Sequence, residues 1–249
     1  MINKITLVFL FLGSVLHAQN ILDEYPKGQT FYKGGEVTFY KEVHDLLKEK
    51  KFSECAENEI YVARILVTDQ GKVKVIKDSD VANIAKNKCA HQLSLEIIKG
   101  LHNWSPAEVK GFQFGAISEF VLYPKDVMSN YKEGYMASNY ITAPRYPGGY
   151  KAFSKIFNSN FKSLFNDYVI KGDVNLEYYV DENGYLTNPR IYPAIHEITF
   201  NQNALRAFQR LKKQWQPALY NEKIPLKYKM LHGLNFSVSY TDEEGEARN

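Results

Sequence analysis

The chain has 249 residues, 45% hydrophobic and 24% charged, which excludes a disordered chain, a collagen-like repeat and a multi-span membrane protein. Its formal charge of +3, from 31 basic and 28 acidic residues, is too even for nucleic-acid binding, which needs clustered cations. Aromatic residues reach 14%, with 18 Tyr and 15 Phe, and lean the composition towards β-structure.

The first residues read as a targeting segment. Lys4 is the early charge, residues 5–12 are apolar, Val15 and Leu16 extend the run, and His17 and Ala18 close it before the polar Gln19. A basic start, an apolar stretch of about 12 residues and a small residue at the cut describe a secretory signal, because a spanning helix needs about 20. Residues 1–18 are expected to be a signal peptide cleaved after Ala18, with an uncleaved anchor as the alternative. The expected location is the periplasm or cell envelope. In an exported chain the two cysteines, Cys55 and Cys89, read as one disulfide. It closes a loop of about 33 residues, worth about 3–4 kcal/mol by chain entropy. Two separate buried thiols are the other reading, and neither Cys has metal-ligand spacing.

The body of the chain is written twice, at a period of roughly 111–114 residues. Gly34-Gly35 answers to Gly148-Gly149, Val67-Thr68-Asp69-Gln70-Gly71 to Val180-Asp181-Glu182-Asn183-Gly184, and Trp104-Ser105-Pro106-Ala107 to Trp215-Gln216-Pro217-Ala218. Each copy opens with a helix. Phe39, Val43, Leu46 and Leu47 form one helical face, and Phe153, Ile156 and Phe157 repeat it. A half-buried strand follows. Tyr61, Ala63, Ile65 and Val67 occupy its buried places in the first copy, and Val174, Leu176, Tyr178 and Val180 in the second. A Gly-containing hairpin leads to return strands at 72–77 and 185–192, where Pro189 and Pro193 demand an edge or a bulge. Second helices are expected over 86–102 and 201–214, each ending near the Trp. A final strand closes each copy. The second alternates over 224–240, about 55 Å if unbroken, with Gly233 expected to mark a bulge or bend.

The fold class is therefore α+β: two tandem αββαβ domains, each a three-stranded antiparallel sheet with two helices on one face. The expected bounds are 31–123 and 145–240, joined by a linker at 124–144 and followed by a disordered acidic tail at 241–249.

The string Tyr146-Pro147-Gly148-Gly149, the hairpin ending in Gly184, the helix Asn203-Ala204-Leu205-Arg206 and Trp215-Gln216-Pro217-Ala218 resemble the TonB C-terminal domain family, and more narrowly the exported TonB-like proteins of Bacteroidetes. The second copy carries the resemblance. The first is degenerate: its opening motif lacks the Pro, and Ser94 stands at the Leu205 position. Both copies have Ala after Trp-x-Pro where the family usually has Gly. The resemblance implies a small domain that binds extended peptides. In energy-coupling TonB, that domain pairs with a short N-terminal segment of outer-membrane receptors by strand addition. This chain departs from the transducer pattern in having no Pro-rich spacer and no clear anchor, which argues for binding rather than energy coupling.

Chemical constellations are weak. His44, His91, His102, His196 and His232 form no HExxH or HxH pattern, and His232 reads as a structural residue on the alternating strand. His44 and His102 read as helix-surface residues. Asp69, Asp181 and Glu182 fit turn chemistry, and no calcium loop, GxSxG, SxxK or phosphate-cradling loop is present. Trp104 and Trp215 read as core residues over the sheets, and Arg206, Arg210, Lys212 and Lys213 as a solvated basic face. No enzyme, cofactor, metal or small-molecule substrate is expected.

The expected partner is an extended segment of an outer-membrane or periplasmic protein, taken up by strand addition, with a link to TonB-dependent transport as the resemblance implies. The favoured docking edges are the last strand at 224–240, with Leu231, Gly233, Asn235, Ser237 and Ser239 on one alternation, and its counterpart in the first copy from Phe112 to Tyr123. The alternative is a structural or dimerising protein whose sheet edges pair with each other.

Overall fold

A computed structural model of the chain describes residues 21–164, 174–193, 195, 198–211 and 214–234. The signal segment, His196, Lys212, Lys213, Asn235, Ser237, Ser239 and the tail 241–249 lie outside the described residues. The architecture is α+β and surrounds two hydrophobic cores. Among the described residues no helix is long and apolar enough to cross a membrane.

The first lobe begins with β1 (Ile21–Leu22) and α1 (Gly35–Glu49). Gly34, at φ 82°, supplies the left-handed entry to α1, and Phe39, Val43 and Leu47 bury one helical stripe. Then come β2 (Tyr61–Val67), β3 (Val73–Val75), α2 (Val81–Lys86), α3 (Lys88–Gly100), β4 (Ala107–Val109) and β5 (Phe112–Leu122). The sheet order is β1-β5-β2-β3, with β4 also paired to β5. Alternate residues of β2 are buried, and β2 and β5 run antiparallel from Tyr61 opposite Leu122 to Val67 opposite Ala116. This lobe thus adds two strands, one of them parallel, to the expected three.

The helix expected over 86–102 breaks at Asn87. The Asn87 side-chain Oδ1 accepts from the Ile60 N–H at 3.1 Å, and its Nδ2 donates to the Asn83 side chain at 2.7 Å. A buried side chain that serves β2 in this way takes its own backbone out of the helix. Glu59 caps the restarted α3 by accepting the N–H groups of Cys89 and Ala90. Cys55 and Cys89 are joined as a disulfide that ties the segment before β2 to the first turn of α3.

The connection between lobes carries α4 (Pro124–Val127), a 3-10 turn at Ala137–Tyr140 and β6 (Ile141–Thr142). Val127, Tyr135 and Ala137 are buried in the first core.

The second lobe contains α5 (Gly149–Lys162), β7 (Val174–Val180), β8 (Leu186–Tyr192), α6 (Ile198–Gln209), β9 (Ala218–Tyr220), β10 (Ile224–Leu226) and β11 (Tyr228–Leu234). Its sheet is antiparallel in the order β11-β7-β8. Phe153 and Phe157 of α5 and Ala204 and Phe208 of α6 pack with Leu176 and Tyr178.

The strand expected over 224–240 is divided at Lys227. β10 forms a hairpin with β9, and this pair joins β6 in a separate small sheet. Ala218, Tyr220 and Leu226 are buried in the first core, so the hairpin of one lobe closes the other. β11 then crosses back to β7. Gly233 is not a bulge, since it stands in regular register opposite Asn175. The irregularity lies on β8, where Asn188 and Pro189 together oppose Tyr178. Proline cannot donate to the ladder, and Asn188 accepts the left-handed φ of 49° that the bulge imposes.

Candidate docking edge

β5 and β11 occupy the same place in their sheets, beside β2 and β7 respectively, but their outer sides differ. On its outer side β5 is bordered by β1 at Gly115 and Ala116, and β4 also pairs with it at residues 112–114. The Tyr40 hydroxyl also donates to the Val121 carbonyl at 2.5 Å. β11 lies at the margin of its sheet, and among the described residues no strand pairs with its outer side. Leu231 is 41% exposed there, and Gly233 is exposed.

Four residues hold β11 in place. Tyr228, Met230, His232 and Leu234 stand in register with the buried Val180, Tyr178, Leu176 and Val174. His232 is buried against Phe153 and Phe157, each with ring centroids 5.1 Å away, and its Nδ1 is 2.5 Å from the Tyr150 hydroxyl. Burial pushes its pKa down to about 4, so the imidazole is neutral at physiological pH. His232 is thus a structural residue, as the alternation implies. His44 departs from its expectation: its Nδ1 meets the Val127 carbonyl at 2.9 Å and its ring stacks on Tyr131.

The helix-free face of the second sheet carries a charge network centred on Glu177. Its side chain is 4% exposed and accepts from Arg190 Nε at 2.6 Å and pairs with Lys229 Nζ at 3.0 Å. Burial alone would raise the carboxyl pKa, but the hydrogen bonds from Arg190 and Lys229 outweigh it and hold the group below its ordinary value. The segment after β1 extends the network. Asp23 lies 3.4 Å from Arg190, and Glu24 lies 3.7 Å from Lys229. Beside it, the Tyr179 hydroxyl donates to Glu119 of β5 at 3.0 Å, and Arg64 of β2 pairs with the same carboxylate at 3.0 Å. The two sheets therefore meet through the faces that carry no helices.

A groove of about 360 Å³ runs between the lobes beside β11. Tyr228, Lys229, Met230 and Leu231 all line it, so residues of both alternations reach one space. Only the edge of a strand presents both. Val62, Glu119 and Val121 of the first sheet, together with Ile141, form the opposite side.

The motif residues form the scaffold rather than the edge. Tyr146 is buried against Phe153 and Trp215, Pro147 is exposed, and Gly148, at φ 89°, opens α5 just before Gly149. The Trp215 N–H donates to the Gly184 carbonyl at 2.9 Å, and Pro217 leads into β9. Among the described residues, one group of three side chains has metal-like proximity: Cys55, Glu59 and Cys89. Its thiols are joined and its carboxylate caps α3, so its donors are already used.

Residues such as Glu177, Arg190, Lys229, Asp23 and Glu24 escaped the sequence reading because they come from four separate segments. The available signal is Glu177, a charged residue in the middle of an aromatic strand.

Residues 169–237 match the family model described as Gram-negative bacterial TonB protein C-terminal. The match spans β7 through β11 and the whole candidate edge within the described residues. Over this stretch the second lobe is similar to the TonB C-terminal domain. No curated protein and no solved structure matches the chain.

Proposed function

We propose that this is an exported cell-envelope protein whose second lobe docks an extended segment of an outer-membrane or periplasmic protein by adding it as a strand to β11. The carrying observation is that, among the described residues, no strand pairs with the outer side of β11, which leaves a row of backbone groups to seek partners. The TonB C-terminal-like match supports a protein-interaction role in envelope transport rather than catalysis. The Cys55–Cys89 disulfide and the signal-like start support an oxidising compartment reached by cleavage after Ala18. The shared αββαβ order in the two lobes supports a tandem origin, with 31–123 as the degenerate copy, 124–144 as the connection and 145–240 as the docking copy.

The test is a titration of the isotope-labelled full chain with peptides from the N-terminal segments of outer-membrane receptors. The expected result is backbone amide shifts concentrated in β11. If no β11 amide moves at millimolar peptide, docking by strand addition is wrong. The same edge suits pairing with a second copy, and sedimentation separates the readings: a stable dimer supports self-pairing, and a monomer leaves the edge for a partner.

A further inference from the structure

We propose that the first lobe supplies one wall of the docking groove of the second, and that the groove takes a short, alternating, apolar segment of a partner. This deepens the docking reading and rests on it.

The groove is built from both lobes. β11 offers an outer side that no strand pairs among the described residues, and Val62 and Val121 stand directly opposite each other on the helix-free face of β2 and β5. A strand added to β11 must place alternate side chains on opposite faces of the enlarged sheet. The side chains on the helix-free face then point towards the first lobe, because that is the face through which Tyr179 reaches Glu119. They meet Val62, Val121 and Ile141 rather than water.

Charge decides the character of the occupant. The groove has two acids, Glu24 and Glu119, and two bases, Lys227 and Lys229. Glu24 pairs with Lys229, Glu119 pairs with Arg64, and the Lys227 ammonium lies over the Tyr179 ring at 5.1 Å. Each charge already has a partner within the chain, so a charged side chain entering between the valines loses water and gains no counter-ion. The chain gives a precedent at the equivalent edge, where the segment bordering β5 is Ile21–Leu22. At Gly115 and Ala116 the edge of the first lobe is taken by its own N-terminal segment, and its sheet face serves its neighbour.

The probe is an acetylated, amidated hexapeptide alternating Ser and Val, with a Ser–Asp alternation as the control, titrated into the labelled full chain. The expected result is shifts of the β11 amides with the Ser–Val peptide, and binding about tenfold weaker in a Val62→Ala/Val121→Ala variant, which removes four apolar carbons from the groove wall. A peptide carrying benzophenone in place of one Val should crosslink, in the unmodified protein, to the strands holding Val62 and Val121. This second readout does not depend on the variant folding. Absence of β11 shifts in the unmodified protein overturns strand addition and this inference together. β11 shifts with unchanged affinity in the variant, or crosslinks confined to the second lobe, overturn the composite wall and leave strand addition standing. Equal binding of the Ser–Asp peptide overturns the apolar specification.

Discussion

Gly184, at the tip of the β7–β8 hairpin, lies directly against the backbone carbonyl of Trp215, and its own carbonyl accepts the Trp215 N–H at 2.9 Å. The hairpin is thereby fastened to the segment that leads out of α6 towards β9. Gly71 and Trp104 make the same close approach in the first lobe, where a Cβ on Gly71 would lie 3.2 Å from the Trp104 carbonyl oxygen. A side chain at either position meets backbone, which cannot rotate away.

Gly184→Ala combines a φ of 82° with that collision and is expected to cost more than about 2 kcal/mol. Gly111→Ala is the matched control. Its φ is 83°, but nothing lies within 4 Å, so it should cost about 1 kcal/mol. Urea unfolding of both variants checks the difference, and equal costs would show that backbone conformation alone sets the penalty.

Acid should weaken the second lobe through His232. Its folded pKa of about 4 lies below the ordinary 6.5, so the unfolded chain binds the extra proton. The contribution is fully present above pH 6.5 and is lost as pH falls through about 4, a change of about 3 kcal/mol. His232→Phe fills the same apolar site without titrating. The stability gap between the variant and the native chain should move in the variant's favour across that window, and a gap that stays constant with pH would contradict it.

Removing Glu177 should matter far more than removing its surface neighbour. Glu177→Ala leaves Arg190 and Lys229 without their shared buried partner and is expected to cost about 3 kcal/mol. Glu24→Gln breaks a 3.7 Å pair whose carboxylate is half exposed, and should change stability by less than about 0.5 kcal/mol. Thermal unfolding of the two variants tests the ranking.

Reduction of the disulfide, or Cys55→Ser/Cys89→Ser, should lower stability by about 3–4 kcal/mol through the freed unfolded chain. The comparison is chemical unfolding with and without reductant. An unchanged midpoint would show that the bond adds nothing to the fold.

Much of the architecture was legible in local pattern. The stripes on α1 and α5, the alternation of β2 and β7, and the paired Trp and Gly landmarks depend on neighbours within a few residues, and periodicity records them directly. The break at Asn87 was not legible, because the cause is the Ile60 N–H, 27 residues away in sequence. The division of the last strand at Lys227 was hidden for a similar reason. An unbroken alternation is compatible with one long strand or with two that serve different sheets, and the partner strands decide which.

The sequence by itself determined the α+β class, the repeated helix, strand and hairpin landmarks of the two copies and the buried faces of α1, α5, β2 and β7, and it allowed the two cysteines one pairing, because these follow from composition, spacing and local conformational preference. Tertiary structure alone decided that Ile21–Leu22 borders β5 while, among the described residues, no strand borders the outer side of β11, that the β9–β10 hairpin completes the first core, and that Glu177 joins charges from four segments. Edges and ion networks arise from residues far apart in the chain, and periodicity carries no information about which distant segment arrives beside them.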